Sequence, residues 1–425
     1  MTAPMTPEDR LYRIVEDGLC IGCGLCQGIA GQDRVRMVKG AGGNLRPAVV
    51  GPIDDETVDR VYQVCPGTRI EGLPAPLVEA APHKDLVWGP YHRMVLGWAG
   101  DPAVRHEGST AGVLTALAMY LLRSGRVDFV LHVGASKADP SFGEARLSFT
   151  EAEVLEGAGS RYGPTAALLN MDAVLARDRP FALVAKPCDL AAVRNLARID
   201  ARVDRLLRYW LTPVCGGYMP PDAMARFLDD QGIAFDDVTL LRYRGRGCPG
   251  PTVVETRDGR VHEFDYLDVW GEDESAWSLP FRCKICPDGI GETADVAAAD
   301  TWPNGSPDRE AAKSDPGVNS LIVRTQTGAE LVEAAARDGA LVLGEEVGPT
   351  YMTTTQPHQV KKKYAARARW NGLAAAGRLT PQTDRLRLDA LAEANGTAAN
   401  TRETEGTLKR LEAGQGVEPR PRPSD

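Results

Sequence analysis

The sequence has no apolar run long enough to cross a membrane. Its most apolar stretch, Val113 to Leu122, falls well short of the roughly 20 residues that a helical span needs. The first residues, MTAPMTPEDR, carry neither a basic n-region nor an apolar h-region, so export by a signal peptide is not expected. A basic excess is also missing. The formal net charge of −9 argues against a general nucleic-acid binder. No long internal repeat stands out. What remains is an ordinary globular composition, 43% hydrophobic and 25% charged, in 425 residues that leave room for two or three domains. A cytoplasmic setting is expected, and there the nine cysteines point to metal binding or redox work. An odd number also suits disulfide pairing poorly.

The cysteines fall into two groups. Cys20, Cys23, Cys26 and Cys65 lie near the N-terminus, and Cys188, Cys215, Cys248, Cys283 and Cys286 are spread through the middle. The Pro-rich stretch Gly72 to Lys84 reads as a linker between them. Beyond it the periodicity predicts a helix over Ala111 to Arg123, a strand at Val127 to Val133, a helix over Thr165 to Ala176 and a strand at Phe181 to Ala185. This order predicts an α/β (α+β) fold. Further strands are expected at Leu206 to Val214, Val253 to Thr256, Asn319 to Thr325 and Ala340 to Leu343, with a helix at Glu330 to Arg337. The expected division is a cysteine-bearing N-terminal module at 1–75, a first part of the core at 85–200, a second part at 201–375 and a polar tail at 376–425. The tail is expected to fray, with at most one amphipathic helix near Thr383 to Ala394.

Cys20-Ile-Gly-Cys23-Gly-Leu-Cys26 is a C-x2-C-x2-C run, and Cys65-Pro66 adds a distant fourth thiolate. This is the ligand grammar of a [4Fe–4S] cluster. Three thiolates two residues apart wrap a cubane only if the backbone turns tightly, which Gly22 and Gly24 permit while leaving N–H groups to face sulfur. Zinc, which favours paired C-x2-C units or mixed cysteine and histidine, is the competing reading.

The other set sits in Lys186-Pro-Cys188-Asp189, Cys215-Gly-Gly217 and Arg282-Cys283-Lys-Ile-Cys286. Lys186, Arg282 and Lys284 are basic neighbours that favour thiolate. Four cysteines from three segments could close a second cubane. The same residues read alone could be core cysteines, or half of a zinc site at Cys283 and Cys286. Cys248 would then be a spare thiol or a substitute ligand.

Taken in order, these motifs resemble the beta-subunit family of coenzyme F(420) hydrogenases and dehydrogenases. The resemblance runs over about residues 15 to 345. It is carried by the cysteine run, Glu107-Gly-Ser-Thr-Ala-Gly-Val-Leu-Thr-Ala-Leu117, Gly159-Ser-Arg-Tyr162, Lys186-Pro-Cys-Asp189 and Cys215-Gly-Gly217. Tyr243-Arg-Gly-Arg-Gly-Cys-Pro-Gly250, Cys283-x-x-Cys286 and Ala294 to Trp302 complete it. The family also takes in the 7-hydroxymethyl chlorophyll a reductases, the ferredoxin-type divinyl chlorophyllide reductases and formate dehydrogenase beta subunits. The resemblance implies a ferredoxin-like module at 1–75, a flavin-binding part of the core at 85–200, non-covalent FAD and one or two [4Fe–4S] clusters, with a second cluster on Cys188, Cys215, Cys283 and Cys286 and with Cys248 non-ligating. It places flavin contacts at Ser109, Thr110, Gly112 and Thr115, then at Ser160, Arg161 and Tyr162, with Lys186 beside them. Thr110 and Ala111 stand where the family commonly has glycines.

A flavin joins one-electron clusters to two-electron carriers, so the expected order is carrier, N-terminal cluster, second cluster, FAD, substrate, or the reverse. The carrier would be ferredoxin or a deazaflavin coenzyme. A catalytic partner subunit would make this an electron-transfer subunit, and a homo-oligomer is a further possibility. A zinc-stabilised module without redox function is the other alternative. No proton donor stands out. His106, Asp189, Asp295 and Asp300 read as hydrogen-bonding residues, and Trp302 as a core residue or a stacking partner. The run Lys361-Lys362-Lys363 with Arg367 and Arg369 reads as a solvated helix face or a docking patch.

Overall fold

The computed structural model describes residues 4–273 and 276–423. The last two residues of the expected tail, 424 and 425, lie outside the described residues. At the centre is an eight-stranded mixed sheet, and its strands are numbered here in chain order. They are β1 (Arg93–Ala99), β2 (Phe129–Ala135), β3 (Gly143–Ser148), β4 (Phe181–Val184), β5 (Leu207–Pro213), β6 (Val296–Asp300), β7 (Asn319–Val323) and β8 (Leu341–Glu346). The spatial order is β8-β1-β7-β6-β5-β4-β2-β3. Strands β2, β4, β5 and β6 run parallel, and antiparallel pairs close both edges. Of the parallel strands, β4 and β6 are almost continuously apolar, as strands covered on both faces must be.

Helix α1 (Val113–Arg123) buries Val113, Ala116, Leu117, Tyr120 and Leu121, a stripe at helical spacing, against one face of the sheet. It starts two residues later than the periodicity suggests. Gly112 caps it in the left-handed region at φ 68°, where a Cβ would lie 2.6 Å from the Val104 carbonyl oxygen. Helix α2 (Pro187–Ala197) follows β4 directly, with Pro187 in its first turn.

The helix expected over Thr165 to Ala176 shrinks to Met171–Leu175. Leu168 instead donates its N–H to the Cys23 carbonyl at 2.9 Å, which ties this stretch to the first cysteine loop. The linker segment is ordered, with Ala75–Ala80 helical and Pro76 at its start. A small antiparallel sheet of Val238–Arg242, Thr252–Thr256 and Val261–Phe264, with the helix Tyr266–Trp270, forms a separate aromatic-rich cluster.

The C-terminal segment departs most from expectation. Helix α3 (Pro357–Ala375) is followed by α4 (Leu388–Asn395) and α5 (Thr397–Glu412), and both pack on α3. Few residues do the burying: Leu386, Leu388, Leu391 and Leu411 enter one cluster with Trp370, Leu373 and the N-terminal residues Leu11, Ile14 and Val15. Each buried leucine contributes about 1.5–3 kcal/mol, which a polar average composition conceals. Gly372 permits the close crossing of α3 and α5, since a Cβ there would lie 2.7 Å from the Thr407 Cβ. The lysine run is not a docking face. Lys363 is fully buried on Glu292, Lys362 donates to the Gly216 carbonyl at 2.8 Å, and Arg369 pairs with Glu403 at 2.8 Å. Among the described residues, no helix is long and apolar enough to cross a membrane.

Candidate functional site

The parallel strands end on one side of the sheet, and a cavity of about 320 Å³ opens beyond their carboxyl ends. This is where open α/β sheets bind ligands, because loops diverge there and helix N-termini point inward. All eight residues expected to touch a cofactor line it: Ser109, Thr110, Gly112 and Thr115 from the turn before α1, Ser160, Arg161 and Tyr162 from the next loop, and Lys186 after β4. Ser160 donates its hydroxyl to Ser109 at 2.8 Å and so joins the two loops. The Thr110 side chain turns inward and donates to Asp300, which is what the residue does in place of glycine.

Arg244 organises this wall, and the sequence reading gave it no role. Its guanidinium forms a bidentate pair with Asp300, with both bonds at 3.0 Å. It also donates to the Ser109 carbonyl and the Thr110 hydroxyl at 2.9 Å and to the Tyr162 hydroxyl at 3.1 Å. The charge lies 4.7 Å from the Trp302 ring centre. Tyr162 meets Trp270 edge-on at 5.0 Å, so the cavity has an aromatic side. The signal available in the sequence was the density of Tyr266, Trp270, Trp277 and Trp302, four large rings within 37 positions.

Arg161 behaves differently. Its Nε and Nη1 are buried at the cavity without a hydrogen-bond partner among the described residues. Burial, and then the nearby Arg242, pull its pKa down to about 10. An unpaired buried cation costs free energy unless an anion completes it, so a phosphate group fits this position. Lys186 pairs with Asp189 at 2.6 Å, and the other Asp189 carboxylate oxygen has no partner among the described residues. Of the remaining candidates, Asp300 and Trp302 line the cavity. Asp295 immediately precedes β6 and accepts from the Trp210 N–H and the Thr325 hydroxyl. The His106 carbonyl accepts from the Gly247 N–H at 3.2 Å.

Two cysteine groups flank the cavity. Cys20, Cys23, Cys26 and Cys65 share one small apolar pocket. The Gly22 N–H donates to Cys20 Sγ at 3.4 Å and the Gly67 N–H to Cys65 Sγ at 3.3 Å. Gly22 and Gly24 both take left-handed φ, as the tight wrap requires. Burial is the main cause that raises the Cys65 thiol to about 12, and it raises the other three as well. Cys188, Cys215, Cys283 and Cys286 form the second group, close enough that Cys188, Cys215 and Cys283 each feel the charge of others in it. Burial again dominates and takes Cys215 to about 12. Apolar pockets full of thiols favour thiolate only with bound cationic iron or a similar metal, so the donor sets suit metal. Among the described residues, no three His, Cys, Asp or Glu side chains converge on a point that would hold a single ion. Cys248 stands apart, buried in the aromatic cluster.

The cavity touches both groups, through Ile21 between Cys20 and Cys23, and through Cys215. Lys186 and Asp189 lie where cavity and cysteine sets meet, within electrostatic reach of Cys23 and Cys188.

Comparison with known proteins follows the same outline. A beta-subunit formate dehydrogenase chain, F(420)-dependent, from Methanococcus maripaludis is 26% identical over 252 residues, or 57% of this chain and 58% of that one. A coenzyme F(420)-dependent sulfite reductase from Methanocaldococcus jannaschii is 24% identical over 346 residues, covering 77% of this chain and 47% of that one. The chain thus spans about half the length of these curated relatives. A chain in the structure of the F(420)-reducing [NiFe] hydrogenase complex from Methanosarcina barkeri superposes with TM-score 0.51 at 20% identity, covering 66% of this chain and 92% of that one, and it shares the fold. The family described as coenzyme F(420) hydrogenase/dehydrogenase, beta subunit, matches in its N-terminal part at residues 94–171 and its C-terminal part at 178–347. These matches cover more than half of the chain, and with the shared fold they place it in the coenzyme F(420) hydrogenase/dehydrogenase beta-subunit family.

Proposed function

We propose that the chain is an iron–sulfur flavoprotein oxidoreductase, with FAD in the cavity and [4Fe–4S] clusters on Cys20, Cys23, Cys26 and Cys65 and on Cys188, Cys215, Cys283 and Cys286. One observation carries the reading: a single cavity gathers all eight expected flavin contacts and is bordered by both cysteine groups. Bound FAD would supply the exchange between one-electron and two-electron carriers. The chain's part is binding and placement. Arg161 and the N-terminus of α1 would meet the phosphates. The Arg244–Asp300 pair holds the Ser109–Gly112 turn, and the aromatic side excludes water. An external carrier, deazaflavin or ferredoxin, would exchange electrons with this centre in the reducing compartment that nine free cysteines suit. The related proteins named as beta subunits favour a second reading, in which a separate catalytic partner is the final donor or acceptor.

Anaerobic purification tests the proposal. Iron and acid-labile sulfide of about eight each per chain are expected with one FAD, and C23S and C283S should each remove about half of the iron. Colourless protein carrying zinc overturns it. Parallel titration with reduced deazaflavin, reduced ferredoxin and NAD(P)H then identifies the carrier by which reduces the flavin fastest, and a requirement for a co-purifying subunit selects the second reading.

A further inference from the structure

The two cysteine groups share some charges and not others. Lys186 with Asp189 lies between them, and so does Arg282, which adjoins Cys283 and donates to the Pro66 carbonyl beside Cys65 at 3.2 Å. Each group also has a cation of its own. For the first it is buried Arg46, near Cys20, whose Nε and Nη2 donate to the Glu418 carboxylate, the latter at 2.7 Å, and whose Nη1 donates to the Leu45 carbonyl at 2.8 Å. That pair is neutral overall. For the second it is Lys362.

Lys362 is on α3, which lies beyond the family-matched residues that end at 347. One face of α3 clamps the Cys215 loop. Gln359 donates to the Cys215 carbonyl at 2.9 Å and Lys362 to the Gly216 carbonyl at 2.8 Å, while Lys363 anchors the helix on Glu292. These positions, i, i+3 and i+4, share a face of the helix. The Cys215 N–H is fixed to the Gly289 carbonyl at 2.7 Å, so the loop is held from both sides. Among the described residues, the Lys362 ammonium has no carboxylate partner, unlike Arg46. It opposes the burial that raises the Cys215 and Cys283 thiols.

We infer that Lys362 is a positioning residue for the second cluster, whose uncompensated charge holds that cluster at a higher reduction potential than the first. This rests on the two-cluster reading above. Reduction adds a negative charge to the cluster, so an unpaired cation nearby favours the reduced form, and a neutralised one does so much less. Electrons passing between the clusters would therefore collect on the second.

The test is an anaerobic redox titration of the full chain followed by electron paramagnetic resonance, with C283S assigning the two signals. In K362Q the second cluster should be about tenfold more oxidised at the wild-type midpoint, which is about 59 mV for one electron, while the first is unmoved. K362R should restore the wild-type value. Neither signal moving, or both moving equally, overturns the inference and leaves the cluster reading intact. Wild-type protein with iron for only one cluster overturns both. Should K362Q shed the second cluster, K362R decides: retention at the wild-type potential supports a charge role, and loss in both variants overturns it.

Discussion

Replacing Arg244 with methionine is the most direct probe of how the cavity wall is held. The guanidinium is almost fully buried, at 4% exposure, while the Asp300 side chain keeps 24%. Breaking a buried ion pair from one side typically costs about 3–5 kcal/mol, because the partner charge stays behind uncompensated. Here water can reach part of Asp300, so the lower end, about 3 kcal/mol, is the better expectation. The same change leaves the Tyr162 and Thr110 hydroxyls and the Ser109 carbonyl without their donor. The Ser109–Gly112 turn should loosen, and bound flavin should fall with it. Urea denaturation followed by circular dichroism gives the first quantity, and the flavin-to-protein ratio after gel filtration gives the second. In a double-mutant cycle, R244M with D300N should be less destabilised than the sum of the singles by at least about 1 kcal/mol. Wild-type stability and flavin content in R244M, or strict additivity in the cycle, would refute the reasoning.

Three further outcomes follow from particular contacts. Gly112→Ala places a Cβ 2.6 Å from the Val104 carbonyl at positive φ, so it should cost more than about 1 kcal/mol in a denaturation midpoint and weaken flavin retention. Glu292→Gln strands the fully buried Lys363 and weakens the hold on Arg387. A loss of about 3–5 kcal/mol is expected in urea, with earlier proteolytic release of α4 and α5, and adding K363M should recover much of it. His132 is held at about 4 by burial first and the Arg146 charge second. Its folded pKa lies below the unfolded value of about 6.5, so its contribution is complete above that pH and is lost as pH falls toward 4. Relative to His132→Asn, the wild type should lose up to about 3 kcal/mol across that window. His358, also near 4, acts equally in both proteins, so only the difference between them is read.

Sequence reasoning worked where the physical signal is local. The strands at Phe129, Phe181, Leu207, Thr252 and Asn319 fall within two or three residues of their expected starts, because apolar strand runs bounded by turn residues are visible over short windows. All eight residues expected to touch a cofactor line one cavity, since short motifs with glycines and small side chains mark close backbone approach. The second cysteine group was weaker to read alone, because its members come from three segments and only the fold brings them together. The role of α3 was misread for a related reason. A basic run reads as a solvated face or docking patch unless the distant partners Glu292, Gly216 and Glu403 are known.

The linear order of residues by itself determined the cysteine grammar, the family, the α/β alternation and the turn chemistry at Ser109 to Gly112. Each of these depends on neighbours within a few positions, or on a spacing that can be counted. Tertiary structure alone decided that Arg244 would bind Asp300 across 56 positions, that Glu418 would neutralise Arg46 across 372, and that a polar C-terminal segment would fold onto the N-terminal module. The physical reason is common to all three. A charge or a leucine carries no mark of its partner, and its energy is fixed only when folding removes water from both.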